Sequence, residues 1–187
     1  MMKKLAIICV CGLLLTACVQ TTLIKAGKQR VDDIYTVSPA TEWNQINGLP
    51  TNTWTQDGLG LQELSFFGLI GDGDSLFPLP AGNSKKMPNF RADMRADDVM
   101  ELLASSLGVV GVQSIETKGL RPFTFSGKRG FQFNFNYVTS RGAELRGEAF
   151  GAVIADKLHL ITYVGHPEYY YDKSRQEVVQ MIRTLKL

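Results

Sequence analysis

His159 and His166 are the only histidines in the chain. Imidazole is the side chain that exchanges protons near neutral pH, so any acid–base chemistry is first sought at these two residues. His159 falls in a strand-like stretch, Leu158 to Val164, on one face with Ile161 and Tyr163. His166-Pro167 forms a turn just beyond it. A metal held by both would need a third ligand, which Glu168 or Asp172 could supply. Two scattered histidines fit ordinary packing and turn positions better, and no metal or cofactor is expected. Glu144 and Glu148 are four apart on a predicted strand and share a face, as an acid pair requires. With Arg146 between them, the same pattern also fits a solvated strand face. Gly71-Asp72-Gly73-Asp74-Ser75 offers two carboxylates to a cation but no following Glu at the offset a calcium loop needs, so it reads as a glycine-rich turn. Ser65 and Ser105 have no nucleophile-elbow sequence around them.

Aromatic residues could do binding rather than chemistry. Tyr169-Tyr170-Tyr171, with Trp43 and Trp54, could line a pocket or a partner surface. The run stands at a helix entrance, so the preferred expectation is that these amphipathic rings seal the sheet against the last helix.

The elements that must position these residues are legible from periodicity. Asp97 to Leu107 places Val99, Leu102, Leu103 and Leu107 on one helical face, with acids in the first turn and Gly108 at the end. Phe131, Phe133, Phe135 and Tyr137 alternate with Gln132, Asn134 and Asn136, which predicts a strand with one aromatic and one polar face. Further strands are predicted at Ile34–Val37, Thr53–Thr55, Leu59–Ile70, Phe123–Phe125, Leu145–Ala155 and Leu158–Val164. Turns at Asp57-Gly58, Gly127–Gly130 and Asp156-Lys157 join some of these. Ser38-Pro39 starts a turn or a short helix that buries Trp43 and Ile46. Residues 71–88 form a breaker-rich loop, and Asp172–Thr184 is a closing helix with Val178, Val179, Ile182 and Leu185 inward. Short turns between successive strands imply antiparallel pairing. The expected fold is α+β, an antiparallel sheet flanked by about three helices.

The amino terminus bears on location. Met1-Met2-Lys3-Lys4 is a basic start, Leu5 to Leu15 is apolar, and Leu15-Thr16-Ala17-Cys18 follows. The apolar run is short of the roughly 20 residues a span requires, and the pattern is that of a secretory leader. It resembles the lipobox of bacterial lipoproteins. The resemblance implies cleavage before Cys18 and lipid on its thiol. Residues 1–17 are then the signal peptide, 18–32 the lipidated Cys and a flexible tether, and 33–187 one α+β domain. Two or three acyl chains would make the anchor effectively permanent. Val19, where an Asp would retain such a protein in the inner membrane, implies the outer membrane.

Composition agrees with this reading. The formal charge is +2, from 20 basic and 18 acidic residues. Lys3 and Lys4 leave with the leader, so the mature chain is neutral. No Lys/Arg cluster of four or more occurs, which argues against a nucleic-acid binder. Of Cys9, Cys11 and Cys18, two are lost and one is lipidated. The mature domain has no free thiol for catalysis, disulfide or metal, which suits an oxidising envelope.

The order of elements resembles the Mog1/PsbP-like family. The resemblance is carried by Ser38-Pro39 to Trp43-Asn44, by Trp54-Thr55 to Leu59, and by Met87-Pro88 to Phe90. Lys157-Leu158 to Tyr163 and Tyr169-Tyr170-Tyr171 complete it. It implies an αβα sandwich and a non-enzymatic binding or assembly role. The expectation is a membrane-anchored envelope lipoprotein that acts as such a module, meets the membrane through Cys18 and binds a protein partner. The rivals are an envelope hydrolase or metal-dependent enzyme using His159 and His166, and a carrier of a small apolar ligand.

Overall fold

The structure, a computed structural model, describes residues 20–79 and 86–187. Residues 1–19, with the expected signal peptide and Cys18, and residues 80–85 lie outside the described residues. Ten strands and two helices occur in the order β1 (Thr21–Ile24), β2 (Gln29–Val31), β3 (Tyr35–Val37), β4 (Trp43–Ile46), β5 (Asn52–Thr55), β6 (Gln62–Ile70), α1 (Ala96–Val109), β7 (Ile115–Phe125), β8 (Lys128–Val138), β9 (Glu144–Ile154), β10 (Lys157–Gly165) and α2 (Tyr170–Arg183). Eight strands form one sheet in the order β1-β4-β5-β6-β10-β9-β8-β7, and β2 and β3 form a separate hairpin. Every pairing in both is antiparallel. Tight turns with two consecutive positive-φ residues join β7 to β8 (Ser126-Gly127) and β9 to β10 (Ala155-Asp156). Their handedness suits the twist of the flanking strands.

Both faces of the sheet are covered. On one, α1 buries Val99, Leu102 and Leu103 against Phe131, Phe133, Phe135, Leu158 and Leu160. The alternation in β8 therefore points as expected, with its Phe residues beneath a helix. On the other face, α2 and the β2–β3 hairpin cover Trp54, Leu64, Phe66, Phe150, Ile161 and Tyr163. Two glycines in β9 make room for the rings of β8. A Cβ at Gly147 would stand 2.5 Å from the Phe135 ring, and one at Gly151 would stand 2.8 Å from that of Phe131.

Three expectations are corrected. Among the described residues there are two helices, not about three, because the Ser38–Asn47 segment supplies β4 instead. Its backbone is claimed by ladders on both sides, β1 and β5. The Glu177 carboxylate of α2 accepts hydrogen bonds from the Ala40 and Thr41 amides at 3.0 Å, from the Thr41 hydroxyl at 2.7 Å and from Trp43 Nε1 at 3.2 Å. These bonds fasten the chain to α2 just before it enters β4. The tether of residues 18–32 is not slack throughout: β1 pairs with β4 from Thr21 to Ile24, and β2 buries Val31 in the core. Finally, the polar face of β8 does not simply face solvent, since Gln132 is buried beside Glu148.

Candidate functional site

The polar face of β8 is the floor of a cleft. Register places Lys118, Asn134 and Glu148 in one row across β7, β8 and β9, and Glu116, Asn136 and Arg146 in the next. α2 packs over β10, β9, β6 and β7, but beside its N-terminal turn the row of Lys118, Asn134 and Asn136 stays open. Tyr171, Asp172 and Arg175 of α2 form the opposite wall, and the space between is about 450 Å³. That lies in the usual range for small-ligand sites. The N-terminal turn of α2 seats closely on β10, where a Cβ on Gly165 would meet the Tyr171 backbone at 2.7 Å.

Glu148 is the centre of this site and is 1% exposed. Its Oε1 accepts hydrogen bonds from Arg175 Nη2 at 2.7 Å and from Gln132 Nε2 at 3.3 Å. Arg121 Nη2 stands 3.8 Å away as a second cation. Its Oε2 is buried with no partner. A buried carboxylate is held ionised only by such close cations, and an unpartnered oxygen in this setting is costly. The hydrogen bond and charge of Glu148 push the Arg175 guanidinium above its ordinary value. Burial, and then the Glu148 charge, push the Tyr171 phenol upward. Arg146 lies over the Tyr171 ring at 5.3 Å, and Tyr171 stacks on Tyr163 with centroids 5.6 Å apart.

The residues singled out from sequence separate in space. His159 is 3% exposed and stands in an aromatic cage, with Tyr35 and Phe125 at ring-centroid distances of 5.7 and 6.4 Å. It sits where the β10–β6 register slips, at a bulge made by Gly68 and the positive-φ residue Leu69. The Phe67 carbonyl accepts the Tyr35 hydroxyl at 2.9 Å, and the same hydroxyl meets His159 Nδ1 at 3.1 Å. Burial lowers the His159 pKa from the ordinary 6.5. His166 lies in the turn after β10, where its amide donates to the Leu61 carbonyl at 2.9 Å. The surroundings of His159 are thus neither the polar cleft of an enzyme nor an exposed apolar patch.

Glu144 is exposed while Glu148 is buried, with Arg146 between them on the same face. Four strand residues span about 13 Å, too far for one shared proton. Asp74 Oδ2 caps the Gly71 amide at 2.8 Å, and Asp72 Oδ1 caps that of Ala92 at 3.0 Å, so the glycine-rich segment is built as a turn. Among the described residues, no group of three or more His, Cys, Asp or Glu is arranged to hold a metal. Ser65 Oγ bonds Thr53 Oγ1 at 3.0 Å, and Ser105 is on the exposed side of α1. Trp43 and Trp54 are buried, as is Tyr171, whereas Tyr169 projects into solvent.

The chain is similar to a solved structure along nearly its whole length. The solution structure of cyanobacterial PsbP (CyanoP) from Synechocystis sp. PCC 6803 aligns with a TM-score of 0.52, over 92% of this chain and 95% of that one. The fold is PsbP-like. Sequence identity is 11%, so the likeness speaks to the fold alone. No protein-family model matches the chain, and no curated protein matches it.

Within this PsbP-like fold, the cations of the cleft come from β7, β9 and α2. Sequence reasoning missed them as a group because Lys118, Arg121, Arg146 and Arg175 never adjoin in the chain. One signal was available. Glu148 occupies the face that continues into the buried Phe150 and Ala152, where a carboxylate requires partners.

Proposed function

We propose that the protein is a lipid-anchored component of the bacterial cell envelope, tethered through Cys18. In this reading it is a non-catalytic binding or assembly module that meets a protein partner at the Glu148 cleft. The observation that carries the binding role is the cleft itself. Cationic side chains from three elements converge around a buried carboxylate, with polar capacity left over. The imidazole of His159, by contrast, is committed to Tyr35 inside the aromatic core. The lipobox-like Leu15-Thr16-Ala17-Cys18 supports the anchor, and Val19 supports the outer membrane.

The test is site-specific photo-crosslinking in intact envelopes, with the photoreactive residue at position 116 or 172 on the cleft margin or at the distant position 91. A discrete partner captured from both cleft positions, and not from position 91, is the expected result. Equal capture from all three positions, or none from any, would overturn the role of the cleft.

A further inference from the structure

The cleft has more hydrogen-bonding capacity than the protein uses. Arg146 makes no hydrogen bond or ion pair among the described residues; its guanidinium rests only on the Tyr171 ring. Lys118 has one weak partner, Glu116 at 3.2 Å, both of them exposed. Arg121 Nη1 donates to the Gly119 carbonyl at 3.2 Å, and its Nη2 lies 3.8 Å from Glu148 Oε1. Four cations thus face three carboxylates, Glu148 and Asp172 in the lining and the Glu116 that pairs with Lys118 at its margin. The surplus is positive, and the planar guanidinium fork suits an anion with two parallel oxygens. The second, independent feature is Glu148 Oε2, almost wholly buried and without a donor. Because Oε2 is closed off, a ligand's anion is met by Arg146, on the open side of the cleft.

We propose that the cleft recognises a carboxylate on an acidic peptide segment of the partner. Arg146 grips the carboxylate, and Lys118 and Arg121 complete its cationic surround. A phosphate fits less well. It sets up to two negative charges against Glu148 where a carboxylate sets one. A peptide carries a donor beside each carboxylate, and Asn134 and Asn136 on the floor can bond its amides. This inference rests on the binding-module reading and names the chemistry of the partner.

The experiment uses the purified chain as the cell exports it, labelled with 15N and held in detergent micelles. The probes are acetyl-Gly-Glu-Glu-Gly-amide, its Gln-Gln counterpart and inorganic phosphate. The Glu peptide is expected to shift the amide signals of Lys118, Asn134, Arg146 and Glu148 saturably, while the Gln peptide does not. Arg146→Gln should weaken the Glu peptide by about tenfold, the size of one lost charge-assisted contact. Lys118→Gln should weaken it less, and Arg91→Gln should leave it unchanged. Both cleft variants alter exposed side chains, and an unchanged spectrum elsewhere verifies their folding. No saturable shift, an equal response to the Gln peptide, or displacement of the Glu peptide by equimolar phosphate would overturn the inference. The two readings fail separately. Peptide binding without a cross-linked partner in envelopes removes the module reading alone. A cleft-specific partner with no peptide binding removes the carboxylate alone.

Discussion

The Tyr35 hydroxyl lies 3.1 Å from His159 Nδ1 inside the core, and its own proton goes to the Phe67 carbonyl. His159 therefore carries its proton on Nδ1 and donates to Tyr35. Burial depresses its pKa below 6.5. The unfolded chain protonates this imidazole near pH 6.5, while the native state resists until a lower pH. Below about pH 6.5 the unfolded state binds more protons, so stability falls as pH drops from there toward the native pKa, and is unaffected above. Urea midpoints from pH 8 down to pH 5 should show this decline, and His159→Phe should reduce it. An identical slope in the variant would show that other groups cause the decline. Tyr35→Phe, which leaves Nδ1–H unpaired, should cost about 1–3 kcal/mol.

Replacing His159 and His166 together should leave the biological role intact, measured by complementation of a deletion strain with protein abundance checked. Loss of function at normal abundance and stability would favour a catalytic or metal role over a binding one.

Arg175→Ala should be severe, because it strips Glu148 of its 2.7 Å partner and leaves a buried charge with weaker support. Losing one partner of a buried pair costs about 3–5 kcal/mol. Adding Glu148→Leu to Arg175→Ala should recover much of that stability. A double variant no more stable than Arg175→Ala alone would mean that Glu148 is not the source of the loss. Thermal melts of the unaltered protein and of both variants decide this.

Phe133→Ala removes a fully buried ring under α1 and should cost about 3–5 kcal/mol, whereas Asn134→Ala, on the cleft floor, should be mild. Equal shifts in melting temperature would contradict the packing of β8.

Cys18→Ser should release the protein from membranes into the soluble fraction if the thiol carries the only anchor. Retention in the pellet after salt and carbonate washes would refute the lipoprotein proposal. Gradient fractionation of the unaltered protein tests the outer-membrane assignment.

Periodicity identified β6, β8, β9 and β10, both helices and the aromatic face of β8, because each repeats its own pattern over many residues; of β7 (Ile115–Phe125) it showed only Phe123–Phe125, since Gly119 and Pro122 interrupt the alternation. It failed where a distant group overrides local preference. The Ser38-Pro39 start reads as helical until β1 and β5 claim the backbone of Trp43–Ile46 from both sides. The first residues after Cys18 read as tether because strands as short as β1 and β2 have no period to detect. The cleft was hidden for a related reason: its charges meet only through the β7–β8–β9 register and the docking of α2. The bulge that cages His159 was also unreadable, since it depends on how β6 slips against β10.

β1 starts at Thr21, and β1 and β7 are the two outer edges of the eight-stranded sheet. If Cys18 bears the lipid proposed for it, three residues reach at most about 11 Å, so the β1 margin must ride close to the bilayer however the body leans. Seven inter-strand spacings of about 4.8 Å separate that margin from β7, a width of about 34 Å. The sheet then works as a boom. Its foot is fixed at the lipid, and its outer end can carry the Glu148 cleft well clear of the headgroups, at a height a partner standing in the periplasm could meet.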